Sequence, residues 1–253
     1  METVSKPLGG LGASEIGALF TQQGLKAKTA QSLAYEKALE IINGVKRDIT
    51  TAAMQHGLFN EEEAFNTIIA PNFPSAVYQS NISLQIKGDL WATPDVIDGE
   101  NEVVMDIKCP YTIYSFFENI RKPKDYYLAQ SQMQMLATGF KTGYLVFFLT
   151  SNVTDSFGNK IEYEISADKR HKFIEISADE DFHEEILKRA DSFFEMRDLI
   201  LKDLLEAPEI SDEEYFQLAM SDHKITRFKD KSNLLTWKGK IYNNIREGYI
   251  IIE

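Results

Sequence analysis

The segment from residue 91 to residue 110, WATPDVIDGENEVVMDIKCP, constrains the fold of this chain more than any other. Asp95 follows a proline, and eleven residues later Asp106 stands two positions before Lys108 inside an apolar run. Because side chains alternate along a strand, Asp106 and Lys108 face one side of a strand over 102–108, and the intervening apolar residues face the other. Burying an acid and an amine costs free energy unless the two groups pair or bind a metal ion. The segment therefore predicts a core strand with one chemically active face.

The rest of the chain alternates between helical and strand patterns, which is typical of an α/β protein. Helices are predicted over residues 16–20, 29–42, 50–69, 111–120, 124–138 and 179–205. Strands are predicted over residues 76–79, 82–86, 89–91, 102–108, 144–150, 160–166 and 173–177. We interpret residues 1–205 as one domain and residues 206–253 as a C-terminal extension of unassigned role, with a helix near 211–220 and a strand at 249–252.

The net charge of −12 argues at first against a nucleic-acid-binding protein, because phosphate contacts need lysine and arginine. The acidity is concentrated, however: residues 175–214 hold 15 acidic and 4 basic side chains, and the remainder of the chain is nearly balanced. No apolar stretch has the length of a membrane span, and the N-terminal residues lack the layout of a secretory signal. The single cysteine fits a reducing compartment. These features predict a cytoplasmic protein without a membrane partner.

Several motifs occur together along the chain, and their joint order is more informative than any one of them. They are Thr93-Pro94-Asp95, Asp106-Ile107-Lys108-Cys109-Pro110, Tyr127-Leu128-Ala129-Gln130-Ser131-Gln132, and His56-Gly57 followed by Glu61 and Ala64. In order and spacing they resemble the phage lambda exonuclease family, also called YqaJ-like viral recombinases, within the PD-(D/E)XK nuclease superfamily. The resemblance covers residues 8 to about 205. It implies the PD-(D/E)XK nuclease fold, an α/β architecture in which helices flank a central mixed β-sheet.

The resemblance also implies a metal site formed by Asp95, Asp106, Glu61 and Ile107, which would hold one or two Mg²⁺ ions, with Mn²⁺ as a substitute. Mg²⁺ prefers oxygen ligands, and two ions roughly 3.5–4 Å apart can stabilise both the attacking and the leaving oxygen of a phosphodiester. The family more often has glutamate where Asp106 stands, so the shorter side chain is expected to shift the metal. The two glutamates that follow Glu61 are expected to face solvent.

Lys108 can be interpreted in two ways. Beside divalent cations its ammonium form is disfavoured, so it could orient or deprotonate the attacking water, or stabilise charge on the phosphate. Alternatively, it only pairs with the preceding aspartate at a sheet edge. The resemblance places Tyr127 and Gln130 in the active site, beside the lysine or the phosphate. Gln134 shares a helix face with Gln130 and fits either a substrate-facing stripe or the surface, and Gln132 is interpreted as a surface residue.

The glycine-rich segment 8–14 leads into a helix whose free N–H groups attract phosphate. The resemblance makes Ser14 a contact for a DNA 5′-phosphate, whereas the plainer interpretation is that Ser14 caps the helix. Lys6-Pro7 stands where relatives carry an arginine, so Lys6 can supply charge but not a bidentate clamp. Met54 takes the position of an apolar wedge that separates the terminal base pair in the family. As an isolated helix methionine, Met54 would instead pack in the core.

The resemblance implies an Mg²⁺-dependent exonuclease that degrades double-stranded DNA from its ends, from 5′ to 3′, and leaves 3′ single-strand overhangs. In phage recombination such overhangs would pass to a single-strand annealing protein, and the resemblance further implies a ring-shaped homotrimer around DNA. Two alternatives stay open. One is an end-independent endonuclease or RecB/Cas4-like nuclease, which would cut closed circular DNA. The other is a catalytically inactive module that binds DNA ends or the annealing protein.

Overall fold

A computed structural model describes residues 6–46, 51–78, 82–150, 164–207, 209–211, 213–214, 226–227, 234–237 and 240–244. The chain forms two compact units, Met1–Phe194 and Glu195–Glu253. Of the strand predicted over 160–166, residues 160–163 lie outside the described residues and residues 164–166 are not in a strand. The predicted segments at 215–220 and 249–252 also lie outside the described residues, and the domain boundary at residue 205 stays a prediction. Across the described residues, no helix combines the length and the apolar character needed to span a bilayer.

The first unit is built on a five-stranded mixed sheet with strand order β2–β5–β6–β7–β8. Its strands are β2 (Val77–Tyr78), β5 (Val96–Asp98), β6 (Val103–Lys108), β7 (Thr142–Phe148) and β8 (His171–Ser177). β6 and β7 run parallel, and the other neighbouring strands are antiparallel. A parallel pair needs a long crossover, which is supplied by α3 (Ile113–Arg121) and α4 (Asp125–Thr138). The crossover brings α4 back over the face of β6.

The other elements of this unit surround that sheet. A small sheet has the strand order β1–β4–β3. Its strands are β1 (Leu11–Gly12), β3 (Leu84–Lys87) and β4 (Leu90–Ala92). The remaining α-helices are α1 (Lys28–Asn43), α2 (Ala52–Ala64) and α5 (Glu180–Leu205). The C-terminal part of α5 belongs to the second unit. Short 3-10 helices span Ala13–Phe20, Gly24–Lys26 and Ala167–Lys169. The predicted mixed α/β architecture is confirmed.

Two apolar clusters hold the central sheet, one on each face. On one face, Met105 and Ile107 of β6 pack with Ile69, which belongs to a π-helical turn, Phe65–Ile69, that continues α2. On the other face, Phe116 of α3 packs with Phe147 of β7. The predicted alternation in β6 is therefore confirmed: its apolar side chains enter the first cluster, and its acid and lysine face α4.

The second unit contains a four-stranded sheet with the order β10–β11–β12–β9. Its strands are β9 (Glu209–Ile210), β10 (Thr226–Arg227), β11 (Leu234–Trp237) and β12 (Lys240–Asn244). The β10–β11 and β11–β12 pairs are antiparallel, and β12 and β9 are parallel. The extension thus contains a sheet of its own.

Candidate active site

β6 and α4 together form the centre of the predicted site. Asp106 is buried, and its Oδ1 accepts hydrogen bonds from Gln130 Nε2 at 2.7 Å and from Gln134 Nε2 at 3.1 Å. The Oδ2 atom of Asp106 lies 2.6 Å from Lys108 Nζ, which donates a hydrogen bond to Gln130 Oε1 at 3.2 Å. Gln130 and Gln134 are one helical turn apart, so both amides reach the same carboxylate. Asp106, Lys108 and Gln130 therefore form a closed set of contacts on one face of the sheet.

Lys108 is held as an ammonium ion by its carboxylate neighbours. Burial alone would lower its pKa, but Asp106 and Asp95 outweigh burial and raise the pKa above its ordinary value. Nζ also lies 5.0 Å from the centroid of the Tyr127 ring, within the range of cation–π attraction. The Lys108–Asp106 ion pair considered from the sequence is present, together with contacts to Gln130 and Tyr127. Its expected place at a sheet edge is wrong, because β6 is the middle strand of the five-stranded sheet. From the sequence we expected divalent cations to disfavour the ammonium form of Lys108. That expectation applies to the metal-bound site and stays a prediction.

Asp95 reaches the same site from the turn between β4 and β5. Its Oδ2 accepts a hydrogen bond from the backbone N–H of Ile107 at 2.7 Å, which anchors the carboxylate against β6. Burial raises the pKa of Asp95 well above its ordinary value, and the charge of Asp106 adds to the increase. A carboxylate that is destabilised in this way would gain from a nearby cation.

Glu61 approaches the site from the last turns of α2. The hydroxyl of Tyr78 donates a hydrogen bond to Glu61 Oε2 at 3.4 Å. Burial raises the pKa of Glu61; Lys108 opposes this increase and Asp106 adds to it. These electrostatic interactions place Glu61 among the same group of side chains as Asp95 and Asp106.

The charge balance of this group fits a divalent cation. Asp95, Asp106 and Glu61 supply three carboxylates against the single ammonium of Lys108. The contact that the structure shows for the buried Oδ2 of Asp106 is its ion pair with Lys108. Within the described ranges, no three His, Cys, Asp or Glu side chains stand in metal-coordinating positions, so binding would draw these carboxylates together. With the carbonyl oxygen of Ile107, the donors are all oxygens, which suits Mg²⁺ or Mn²⁺.

Lys6 is tied to Glu15 in an ion pair. Lys6 Nζ lies 2.6 Å from Glu15 Oε2, and Lys37 Nζ lies 2.6 Å from Glu15 Oε1. Burial lowers the pKa of Lys6, although Glu15 opposes the decrease. Ser14 is exposed, and the N-cap position of the 3-10 helix is occupied by Gly12, so the interpretation of Ser14 as the cap is wrong. The roles of Ser14 and Lys6 toward a 5′-phosphate stay predictions.

Residues 7–141 match the model of the YqaJ-like viral recombinase domain. The chain belongs to this family. It is similar in structure to an alkaline exonuclease, LHK-Exo, from Laribacter hongkongensis, with a TM-score of 0.64 and 22% sequence identity over 84% of this chain and 96% of that chain. A second LHK-Exo structure, in complex with dAMP, gives 0.63 and 23% over 84% and 96%. A phage-related exonuclease from Haemophilus somnus 129PT gives 0.65 and 17% over 77% and 96%.

These structural likenesses show that the fold is the PD-(D/E)XK type expected from the sequence motifs. No curated protein matches the chain. Family membership and fold together support a nuclease that acts on DNA.

Met54 lies in the first turn of α2 and is 53% exposed. The core-packing interpretation is therefore wrong, because α2 turns this residue to solvent. Leu58, one turn further along, is also exposed. Residues four and seven positions apart share a helix face, so Met54, Leu58 and Glu61 form a stripe that leads from an apolar end to a carboxylate of the site. The strand-separating role of Met54 stays a prediction.

Two glutamines for which the sequence allowed a surface position are buried. Gln134 is only 1% exposed and donates to Asp106, so its surface interpretation is wrong, and a substrate-facing role stays a prediction. Gln132 bonds the backbone oxygen of Ser177 at 2.9 Å, and its Oε1 lies 2.9 Å from His183 Nε2. The surface interpretation of Gln132 is wrong, because α4 is packed on this side against the start of α5. The spacing of four residues between Gln130 and Gln134 was the sequence signal that both amides would reach Asp106.

Proposed function

We propose that this chain is an Mg²⁺-dependent exonuclease that hydrolyses double-stranded DNA from its ends. The observation that carries the proposal is the grouping of Asp95, Asp106 and Glu61 with Lys108, which Gln130 holds in place. An inactive binding module would have no need of three acids that are costly to bury together. The dAMP complex of LHK-Exo supports a deoxynucleotide as the product.

Asp95, Asp106, Glu61 and the carbonyl oxygen of Ile107 would hold the metal, which when bound supplies a water of lowered pKa and offsets charge at the phosphate. Lys108 presents a positive charge from a fixed position, because Asp106 and Gln130 both contact its Nζ. That charge would orient the attacking water and stabilise the negative charge that develops on the phosphate oxygens. The ring of Tyr127 limits the directions in which the ammonium group can move.

Two substitutions test this centre directly. Asp106→Asn and Lys108→Ala should each slow digestion of end-labelled linear duplex DNA by roughly 10²–10⁴-fold in Mg²⁺, while DNA binding persists. EDTA should stop the wild-type reaction. Lys87→Ala is the matched control, since Lys87 is an exposed lysine paired with Asp191. Wild-type rates for both site variants would exclude the assigned centre.

The direction of digestion and the biological setting form the second part of the proposal. Digestion runs from 5′ to 3′, and the resulting 3′ overhang passes to a single-strand annealing protein during phage-type recombination in the bacterial cytoplasm. The family's description as a viral recombinase supports this setting. A duplex labelled at either the 5′ or the 3′ end of one strand distinguishes the polarity. Ser14→Ala should reduce any preference for 5′-phosphorylated over 5′-hydroxyl ends.

One observation favours an end-independent endonuclease as the second candidate. Lys6, the residue nearest in sequence to the arginine of relatives, is already paired with Glu15, which weakens the case for recognition of a terminal phosphate. Covalently closed circular duplex separates the two candidates. The exonuclease should leave closed circles intact while it consumes linear DNA of the same sequence; rapid cutting of the circles would establish the endonuclease.

A further inference from the structure

The first two turns of α2 bury one side chain against the rest of the protein. In the segment 51–59, all of which the structure describes, every residue is exposed except His56 and Gly57. Gly57 has no side chain, and nothing lies within 4 Å of the position that an added Cβ would take. His56 is therefore the side chain through which this half of α2 is packed against its surroundings.

The ring of His56 packs against the segment that leaves β6 just after Lys108. It meets the ring of Tyr111 edge to face, with 5.2 Å between the centroids and an angle of 89° between the planes. This is a preferred arrangement of two aromatic rings. Burial lowers the pKa of His56, and its interaction with the backbone of Pro110 opposes the decrease. The lowered pKa favours a neutral imidazole, which packs against Tyr111 without burying a charge.

Asn60, one helical turn further along α2, ties the His56 residue to the part of the helix that carries Glu61. Its Nδ2 donates a hydrogen bond to the backbone oxygen of His56 at 2.6 Å and lies 3.4 Å from the ring atom Nδ1. Asn60 is itself buried and directly precedes Glu61 in the chain. The packing of His56 is therefore linked, within one turn of helix, to the backbone that positions Glu61.

The carboxylate of Glu61 depends on the placement of its helix. The hydrogen bond that the structure shows for it comes from the Tyr78 hydroxyl at 3.4 Å, which is long for an O–H···O bond. Among the residues that the structure describes, no three His, Cys, Asp or Glu side chains are yet close enough to share a metal ion. A small change in the position of α2 would therefore change whether Glu61 can join Asp95 and Asp106 on one ion.

We propose that His56 is a positioning residue for the metal site: its ring, packed against Tyr111, sets where α2 lies and thereby how closely Glu61 approaches the other two carboxylates. The inference rests on the proposed metal-dependent function. The contact joins the helix that carries Glu61 to the segment that follows Lys108. Two of the elements that supply the site are thus fixed to each other by a pair of rings that do not themselves bind the metal.

The test measures Mn²⁺ binding to the full chain without DNA, by electron paramagnetic resonance of the free ion, and counts the binding that Asp106→Asn removes. His56→Ala should weaken this binding roughly 10- to 100-fold, the usual loss when a residue that supports a metal ligand is removed. His56→Phe keeps an aromatic ring against Tyr111 and should restore it. In digestion of linear duplex, His56→Ala should need more Mg²⁺ for its half-maximal rate, and excess Mg²⁺ should recover the rate. A variant that was merely unfolded in part would not be recovered in this way.

His171→Ala is the matched control, since the ring of His171 also meets an aromatic ring, that of Phe173, edge to face, but on β8, which carries no residue of the site. It should bind Mn²⁺ as the wild type does. Tyr111→Leu removes the other ring and covers the case in which His56→Ala fails to fold; it should weaken Mn²⁺ binding to a similar extent. Wild-type affinity in His56→Ala and Tyr111→Leu, or no recovery in His56→Phe, would overturn the role of His56. A wild type that binds Mn²⁺ but does not digest linear duplex would instead overturn the proposed function.

Discussion

Glu15 is shared by two lysines that come from different parts of the chain. Its two oxygens contact Lys6 and Lys37, each at 2.6 Å. Lys37 also contacts Glu40 Oε1 at 2.8 Å, and Glu40 Oε2 accepts a hydrogen bond from the backbone N–H of Gly9 at 3.1 Å. These contacts fasten α1 to the segment that precedes Ser14. They therefore fix the backbone on which the predicted phosphate contact depends.

Glu15→Gln should lower the free energy of unfolding by roughly 1–3 kcal/mol at neutral pH. The substitution keeps the size of the side chain but removes one of the two carboxylates that neutralise Lys37, which is only 3% exposed. The midpoint of urea unfolding measures the change. The matched control is Asp191→Asn at the exposed pair with Lys87, where a change below about 0.5 kcal/mol is expected.

The wild type and Glu15→Gln should also differ in how their stability responds to acid. Burial alone would raise the pKa of Glu15, but Lys6 and Lys37 outweigh burial and hold it below its ordinary value. A carboxyl group with a depressed pKa contributes stability above its ordinary pKa and loses it as the pH falls through the folded-state value. The stability difference between wild type and Glu15→Gln should therefore shrink as the pH drops below about 4.5. A constant difference down to the acid unfolding limit would contradict the assigned ion pairs.

Sequence reasoning found the acids and the lysine of the site because their spacing is local. Asp106 and Lys108 are two positions apart on one strand, and Asp95 follows a proline in the adjoining turn. The pairing of Lys6 with Glu15 could not be found in this way. It depends on how the N-terminal segment packs against α1, which local spacing does not reveal. The exposure of Met54 was missed for a similar reason, since it depends on which face of α2 packs.

The contact between the 3-10 helix Ala13–Phe20 and α4 depends on a glycine. An added Cβ at Gly17 would lie 2.4 Å from Cβ and 3.1 Å from Cα of Tyr126. Backbone and Cβ atoms cannot swing aside as the end of a long side chain can. The two helices therefore have to separate if this position gains a side chain.

Gly17→Ala should destabilise the protein by roughly 1–3 kcal/mol through overpacking. Activity should fall as well, because α4 carries Tyr127 and Gln130 into the site. Thermal unfolding and the digestion rate on linear duplex measure the two effects. Gly57→Ala is the matched control, since Gly57 lies within α2 with nothing within 4 Å of the added Cβ, and alanine there should stabilise by roughly 0.5–1 kcal/mol. Equal stabilities for the two variants would show that the close contact is not maintained in solution.

Long elements with strong periodicity were predicted well, and the short strands were predicted only in part. The predicted helix over 124–138 and strand over 102–108 agree with α4 and β6 to within one residue. β1 and β5 were missed, whereas β2, β3 and β4, which are similarly short, were predicted. β1 and β5 are strands because their backbone groups form hydrogen bonds with β4 and β6, respectively. The predicted helix over 50–69 proved to be α2 followed by a π-helical turn.

The charge of the whole chain makes DNA retention a physical problem for the proposed function. A net charge of −12 repels a phosphate backbone, and residues 175–214 concentrate much of it. Basic side chains alone therefore give a weak and salt-sensitive hold on the substrate. A ring that encloses the duplex, as proposed from the family resemblance, would retain DNA by topology instead of by attraction.

This reasoning leads to a joint prediction for assembly and processivity. Light scattering in solution should give three times the chain mass of 28.9 kDa. An excess of heparin added after digestion has begun should then leave the degradation of already enclosed duplexes running, because a polyanion competes for charged surfaces but cannot open the ring. Heparin added before the DNA should prevent the reaction. A monomeric mass with digestion that stops as soon as heparin is added would show that the chain holds DNA by surface contacts, in which case its acidic segment must lie away from the bound duplex.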